Sequence, residues 1–283
     1  MPTQLTGWID THVHWDAAEF DPDRDAALKR AFEAGVSTTI NPSVTVTGID
    51  HIQALSRESV AHPDWPVILP AYGIHPLYVQ ETVKDDLVTL AARVQSDRPI
   101  AIGEIGLDRF AGSPDLKVQR SWFEDQLALA IECGLPVILH VRHAVEDVIQ
   151  VIKRIQGRRE MLVGGIAHAF NGSAEQADQL VRMGMLLGFG GSLTYDGSTR
   201  IRRLAKDLPL ECLVLETDAP DMSPCWLRRQ RNEPAALPKI ATMLAEIRGI
   251  PLGILRNQVR ANLVRQFPEI TSRPRFGAGA HVD

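Results

Sequence analysis

Residues 99–140 read PIAIGEIGLDRFAGSPDLKVQRSWFEDQLALAIECGLPVILH, and this stretch decides the fold. It begins with a short apolar run, Pro99–Glu104, and ends with another, Pro136–His140. Between the two runs, residues 116–133 carry apolar side chains at intervals of three and four, which predicts an amphipathic helix. A strand, a helix and a second strand in this order indicate two parallel strands joined by a crossover helix.

The same alternation extends along nearly the whole chain. The predicted strands cover residues 7–11, 36–41, 66–72, 99–104, 136–140, 161–168, 185–190 and 212–217. The predicted helices cover residues 23–34, 50–61, 85–95, 116–133, 144–155, 235–249 and 252–266. Eight strands connected by crossover helices predict an α/β fold, the (β/α)8 TIM barrel. We expect residues 1–271 to form a single domain and residues 272–283, rich in Gly, Pro and Arg, to form a flexible C-terminal tail.

Composition narrows the class of protein. The net charge of −5 argues against a basic surface that would coat a nucleic-acid backbone, so an anionic substrate must be held locally. No stretch resembles a signal peptide or reaches the roughly 18 apolar residues of a membrane helix. The three cysteines form no CxxC pair, which fits a reducing compartment. We therefore expect a cytoplasmic protein without membrane association, and nothing indicates an obligate protein partner.

Polar side chains follow several of the apolar runs, at the end of the barrel where active sites lie. Taken singly, each has an ordinary explanation, such as a buried histidine or a turn former. Together they would require independent coincidences at the same end of five strands, and imidazole and carboxylate are ligands of divalent metal ions. The sequence therefore predicts a metal site at the C-terminal mouth, formed by His12, His14, Glu104, His140, His168 and Asp218.

The motifs around these residues resemble those of the TatD family, metal-dependent hydrolases usually described as deoxyribonucleases. The resemblance rests on Asp10–His14 (DTHVH), Gly73–Pro76 (GIHP), Ala101–Asp108 (AIGEIGLD), His140–Arg142 (HVR), His168–Ser173 (HAFNGS), Leu215–Pro220 (LETDAP) and Arg231–Pro234 (RNEP). It implies that the six residues bind two divalent ions, Zn, Mg or Mn, with Glu104 bridging them. Ala169 and Asn171 stand where the family often has Cys and Ser, which leaves the ligand set complete.

Two of the ligands have a predicted catalytic role. Two ions a few ångströms apart can polarise a phosphoryl oxygen and lower the pKa of water to about 7. Glu104, with two oxygens, suits the bridge, while His12, His14 and Asp218 would complete one ion and His140 with His168 the other. Asp218 would also take the proton of the attacking water, as the resemblance implies. Asp10 and Glu216 precede His12 and Asp218 by two residues, so each either orients a ligand or forms a buried salt bridge.

Four further residues are predicted to contact substrate. Arg142 shares the face of His140 and can form a bidentate contact with a phosphate. Asn171 and Ser173 open a helix whose free N–H groups can hold another phosphate, although Ser173 also reads as a simple N-cap. His75 follows the third strand, and we interpret it as a contact to substrate or leaving group rather than a ligand.

Three classes of function remain open. The first is a phosphodiesterase that trims single-stranded ends of nucleic acid, DNA in preference to RNA. The second is an amidohydrolase, lactonase or phosphotriesterase acting on small molecules, since fold and metal site do not choose the substrate. Many such enzymes carry a modified lysine where this chain has Glu104, which counts against them. The third, a binding protein without catalytic activity, would be indicated by a lost ligand, and all six are present.

Overall fold

The computed structural model describes residues 7–157 and 161–272. Most of the predicted C-terminal tail, residues 273–283, lies outside the described residues, whereas Ser272 ends a short 3-10 helix that begins at Pro268. In the described part of the chain, no helix has both the length and the apolar character needed to cross a bilayer.

Strands and helices alternate as the sequence predicts. The strands are β1 (Trp8–Asp10), β2 (Val36–Pro42), β3 (Val67–Tyr72), β4 (Ala101–Asp108), β5 (Val137–Arg142), β6 (Gly165–Ala167), β7 (Met185–Phe189) and β8 (Leu213–Leu215). The helices are α1 (Arg24–Glu33), α2 (Ile49–Ala61), α3 (Lys84–Asp97), α4 (Leu116–Cys133), α5 (Val145–Gln156), α6 (Ala174–Arg182), α7 (Thr199–Asp207), α8 (Leu237–Arg248) and α9 (Leu252–Gln266).

The strands form one sheet with the order β1-β2-β3-β4-β5-β6-β7-β8, so strands that are consecutive in the chain are also neighbours. The described pairings are parallel; Ile166 of β6, for example, lies opposite Ile138 of β5. Most residues of β3, β4 and β7 are buried, as expected for a parallel sheet covered by helices. The predicted α/β fold, a (β/α)8 TIM barrel, is confirmed.

One strand boundary that matters for function was predicted wrongly. The expected strand 99–104 would have ended at Glu104, but β4 continues to Asp108. Gly106 lies opposite His140, where an added Cβ would be only 2.1 Å from the His140 carbonyl oxygen. Glycine is therefore required by the close approach of two backbones, and Glu104 lies inside a strand.

The described residues group into two compact units, each with its own buried core. One consists of described residues within Met1–Asn41, His51–Leu69 and Gly190–Asp283, and the other of those within Pro42–Asp50 and Pro70–Phe189. That residues 1–271 form a single domain remains a prediction.

In the first unit, two buried asparagines hold backbone segments around β8. The Nδ2 atom of Asn262, on α9, donates to the carbonyl oxygens of Leu210 and Leu213, each at 2.8 Å. Asn232 donates at 2.9 Å to the carbonyl oxygen of Thr217, just before the predicted ligand Asp218. Because buried backbone carbonyls need a partner, these amides fix the path of the chain on both sides of the strand.

In the second unit, α4 fixes the chain at the ends of two strands. Gln119 accepts a hydrogen bond from the N–H of Asp108 at 2.7 Å and donates to its carbonyl oxygen at 2.9 Å. Gln126, two turns further along the helix, makes the same pair of contacts with Ile74 at 2.7 and 3.1 Å. Both glutamines are buried, so this face of α4 positions the residues that follow β3 and the last residue of β4.

Candidate metal centre

A parallel bridge between Val13 and Ala219 assembles the ligands of the first unit. The N–H of His14 donates to the carbonyl oxygen of Ala219 at 2.8 Å, and the N–H of Asp218 donates to that of His12 at 2.9 Å. His12 and His14 lie beyond the end of β1 and flank Val13, so their side chains share one side of the chain. Sequence spacing alone could predict this pair but not its contact with Asp218.

The ligand atoms of this first cluster converge. The Nε2 atoms of His12 and His14 are 3.1 Å apart, and Asp218 Oδ1 lies 3.6 and 3.8 Å from them. Ligand atoms bound at about 2.0–2.2 Å to one tetrahedral ion lie roughly 3.3 Å from each other, close to these separations. Asp218 has a φ of +56°, a left-handed conformation that Asp tolerates better than most residues and that recurs at functional sites.

Asp10 holds the backbone beneath the first cluster. Its Oδ1 accepts from the N–H groups of His12 at 3.2 Å and Thr217 at 3.0 Å, and its Oδ2 accepts from the Thr217 hydroxyl at 2.6 Å. Burial raises the pKa of Asp10 to about 7, against the lowering effect of these hydrogen bonds. These contacts match neither of the two roles expected for Asp10, because the carboxyl group binds main chain and a hydroxyl rather than an imidazole or a cation.

The second cluster gathers around Glu104. The register of β4 against β5 shifts between Ile102 and Ile105, so Glu104 lies in a bulge, a feature often found beside active sites. Its Oε1 atom lies 2.7 Å from Nδ1 of His140 and 2.8 Å from Nε2 of His168. The two imidazole nitrogens are 3.3 Å apart, so three potential ligand atoms converge here as well.

Asp108 determines which nitrogen of His140 faces Glu104. Asp108 Oδ2 lies 2.9 Å from Nε2 of His140. Burial raises the pKa of Asp108, but hydrogen bonds from His140, the N–H of Phe110 and the Ser113 hydroxyl outweigh it and hold the pKa well below its usual range. Because Asp108 is therefore ionised, Nε2 carries the proton and Nδ1 is the nitrogen available to a metal ion.

The donor atoms of the second cluster fit a bound cation. Nδ1 of His140 and Oε1 of Glu104 lie 2.7 Å apart, so both atoms are near enough to bind the same ion. Burial lowers the pKa of His140, but hydrogen bonds to Asp108 and Glu104 outweigh it and raise the pKa. A histidine ligand binds through a deprotonated nitrogen, so an ion bound at Nδ1 would displace any proton held there.

His75 joins this cluster in a different way. Its Nε2 lies 3.4 Å from Glu104 Oε1 and 3.0 Å from His140 Nδ1, a position that would suit a ligand. Its Nδ1, however, accepts a hydrogen bond from the N–H of Leu77 at 3.1 Å. In a neutral ring the proton then resides on Nε2, so this face of His75 is a hydrogen-bond donor.

The predicted substrate contacts lie in two regions. Arg142, the last residue of β5, is exposed near the second cluster, and Asn171 is exposed after β6. Ser173 caps α6: its hydroxyl accepts from the N–H of Gln176 at 3.2 Å, and Gln176 accepts from the N–H of Ser173 at 3.0 Å. Both polar groups of Ser173 are thus engaged in a capping box, which supports the N-cap interpretation.

The arginine of the RNEP motif is held within the protein. Arg231 donates to Asp23 Oδ1 at 2.5 Å and Oδ2 at 3.1 Å, and its guanidinium group lies 4.6 Å from the ring centroid of Phe20. Arg30 bridges Asp23 and Glu233 through contacts of 2.9 and 2.7 Å. This charge network ties the segment after Asp218 to α1.

Two residues near the second cluster were missed as functional candidates. Asp108 accepts a hydrogen bond from His140, and the ring of Phe110 contacts the guanidinium group of Arg142. Asp108 belongs to the AIGEIGLD motif, and its position four residues after Glu104 could have indicated a role beside the metal site.

The comparisons with known proteins agree with this fold. The family described as TatD related DNase matches residues 9–268. The chain therefore belongs to the TatD family.

Relatives cover almost the whole chain. The protein named "Uncharacterized metal-dependent hydrolase YabD" from Bacillus subtilis is 32% identical over 259 residues, covering 92% of this chain and 98% of its own. The protein named "3'-5' ssDNA/RNA exonuclease TatD" from Erwinia tasmaniensis is 34% identical over 266 residues, covering 92% and 99%. The crystal structure of YJJV, a TatD homologue from Escherichia coli, superposes with a TM-score of 0.84 at 32% identity and covers 92% and 98% of the two chains.

Proposed function

We propose that this protein is a metal-dependent phosphodiesterase that removes nucleotides from the ends of single-stranded nucleic acid, DNA in preference to RNA. The observation that carries the proposal is the convergence of Glu104 with the imidazoles of His140 and His168 beside an exposed arginine, Arg142. Carboxylate and imidazole suit divalent ions, and an arginine suits phosphate. The name of the relative from Erwinia tasmaniensis supports the same substrate class.

We assign one ion to each cluster. His12, His14 and Asp218 would hold the first, and Glu104, His140 and His168 the second. Bound divalent ions would polarise the phosphoryl group and promote ionisation of the attacking water. Bridging of the two ions by Glu104, the choice among Zn, Mg and Mn, and a cytoplasmic location remain predictions.

Each side chain of the proposed site has its own role in the reaction. Asp218, half-buried, accepts the proton of the attacking water. His75 presents Nε2–H to the second cluster and is positioned to donate to the leaving oxygen. Arg142 binds a phosphate oxygen, and Asn171 contributes a further polar contact at the exposed end of β6. Ser173 contributes by capping α6 and so fixing the loop that carries Asn171.

The test uses metal-reconstituted protein on single-stranded oligonucleotides labelled at the 3′ or the 5′ end, with a lactone and a phosphotriester assayed in parallel. We expect stepwise shortening from an end, complete loss with a chelator, and loss of both metal and turnover in Glu104→Ala. Asp218→Asn should lower kcat by about 10²- to 10⁴-fold, the range for removal of a general base. Rapid lactone or phosphotriester hydrolysis without nucleic-acid cleavage would instead assign the small-molecule class.

A further inference from the structure

An exposed aromatic ring lies beside the second cluster, and the mechanism above does not use it. Phe110 follows β4 by two residues, and 48% of its surface is exposed. The guanidinium carbon of Arg142 lies 3.8 Å from the centroid of this ring. The imidazole of His143 is nearly parallel to it, with ring centroids 6.3 Å apart and an interplanar angle of 17°. We name Phe110, Arg142 and His143 the Phe110 platform.

The platform is fixed by the same carboxylate that orients His140. The N–H of Phe110 donates to Asp108 Oδ1 at 2.6 Å, and the hydroxyl of Ser113 donates to that oxygen at 2.8 Å. The other oxygen, Oδ2, contacts His140. One side chain thus links the turn that carries Phe110 to a predicted metal ligand.

Arg142 has no ion-pair partner in the part of the chain that the structure describes. Its neighbours Arg109 and Arg120, by contrast, both pair with Asp147. The guanidinium carbon of Arg142 lies over the Phe110 ring, a cation–π contact that holds this end of the side chain beside the ring. A planar ligand that also carries negative charge fits this surface.

We propose that the Phe110 platform binds a nucleobase of a single-stranded nucleic-acid substrate, with its phosphate on the edge of Arg142. The inference rests on the proposed function, because that function supplies the strand. Unpaired bases stack on aromatic rings and on arginine planes, and such stacking does not depend on base identity. Arg142 and His140 are two residues apart on β5, so their Cα atoms are about 7 Å apart along the strand, and the platform adjoins a predicted metal ligand.

The experiment separates stacking from phosphate binding. Two labelled strands of the same length, a single-stranded oligothymidylate and an abasic strand, are titrated with reconstituted protein. A phosphorothioate linkage in each strand blocks cleavage. Phe110→Leu, which keeps apolar bulk without a ring, should weaken oligothymidylate binding by about 5- to 150-fold and leave abasic binding unchanged. Arg142→Lys, which keeps the charge but loses both the plane and the bidentate edge, should weaken binding of both strands, and of oligothymidylate more than of the abasic strand. Phe32→Ala, at a phenylalanine of α1 with 39% exposure, is the matched control and should behave as wild type.

Metal content and the thermal midpoint of each variant are measured alongside, and Phe110→Trp should restore oligothymidylate affinity. If wild type binds the blocked strands and cleaves the unmodified ones, and Phe110→Leu does both equally well, the platform proposal is wrong while the proposed function stands. Wild-type protein that neither binds the blocked strands nor cleaves the unmodified ones would overturn both. Equal losses on oligothymidylate and abasic strands would also overturn base stacking, since only phosphate contacts are common to the two.

Discussion

Asp108 and His140 lie on adjacent strands, and Nε2 of His140 donates to Asp108 Oδ2 at 2.9 Å. The contact is diagonal across the sheet, because Gly106 is the residue opposite His140 and Asp108 is opposite Arg142. It turns Nδ1 of His140 towards Glu104 and so selects the nitrogen that a metal ion would meet. A carboxylate in this position also makes the imidazole a stronger ligand.

Removal of this carboxylate should weaken metal binding. Asp108→Ala leaves His140 without the partner that fixes its ring, and loss of such a partner typically costs about 10- to 100-fold in metal affinity. A competitive titration with a metal chelator measures the effect. Asp108→Asn should give a smaller loss, because its amide oxygen can still accept from Nε2. Asp125→Ala, at an exposed position of α4, is the control, and unchanged affinity in Asp108→Ala would contradict the role assigned to Asp108.

Gly106 should be intolerant of a side chain. Its φ is +146°, and an added Cβ would meet the carbonyl oxygen of His140 at 2.1 Å. Gly106→Ala should therefore separate β4 from β5 at His140, lowering both the thermal midpoint and the amount of metal retained. Gly253→Ala, at an exposed position of α9 with no atom within 4 Å of the new Cβ, should be neutral or slightly stabilising. If Gly106→Ala has wild-type thermal stability, β4 and β5 can accommodate the added Cβ, and the glycine is not required.

His75→Ala distinguishes a donor to substrate from a metal ligand. Because its Nδ1 accepts from the N–H of Leu77, we expect Nε2 to carry a proton and the variant to retain wild-type metal content. Turnover should fall by about 10²- to 10⁴-fold if His75 protonates the leaving oxygen, and less for substrates with good leaving groups. His62→Ala, at a histidine with 48% side-chain exposure, is the control. If His75→Ala loses metal and His62→Ala does not, His75 is a metal ligand.

The charge network at α1 should contribute to stability only above acidic pH. Hydrogen bonds from Arg231 and Arg30 hold the pKa of Asp23 well below its usual range. The unfolded carboxyl protonates near pH ~3.9 and the folded one at lower pH, so this stability is complete above the unfolded value and is lost as the pH falls. Asp23 is 35% exposed, so we expect no more than about 1 kcal/mol.

Urea unfolding of wild type and Asp23→Asn at pH 7 and at pH ~3 measures this contribution. The stability difference between the two proteins should be full at pH 7 and smaller at pH ~3, because the unfolded carboxyl is then largely protonated, whereas the folded one protonates only at still lower pH. Asp196→Asn, at a fully exposed carboxylate, serves as the control. A difference that persists unchanged in acid would mean that the network does not act through the charge of Asp23.

The sequence by itself determined the barrel and the predicted ligands. Apolar runs separated by amphipathic segments are local patterns, and parallel strands joined by helices have few alternative arrangements. The two-residue spacing of His12 and His14 likewise specifies a shared face wherever the chain is extended. Glu104, His140 and His168 were identified because parallel strands bring such residues to one edge of the sheet.

Only the tertiary structure decided how these ligands are supported. The contact between Asp108 and His140 depends on a bulge at Glu104 and on the register of β4 against β5, and neither has a local sequence signal. The same holds for Phe110, whose ring meets Arg142 because one carboxylate turns the chain after β4. Side-chain contacts between strands are set by register and backbone approach, which are properties of the packed sheet rather than of any single segment.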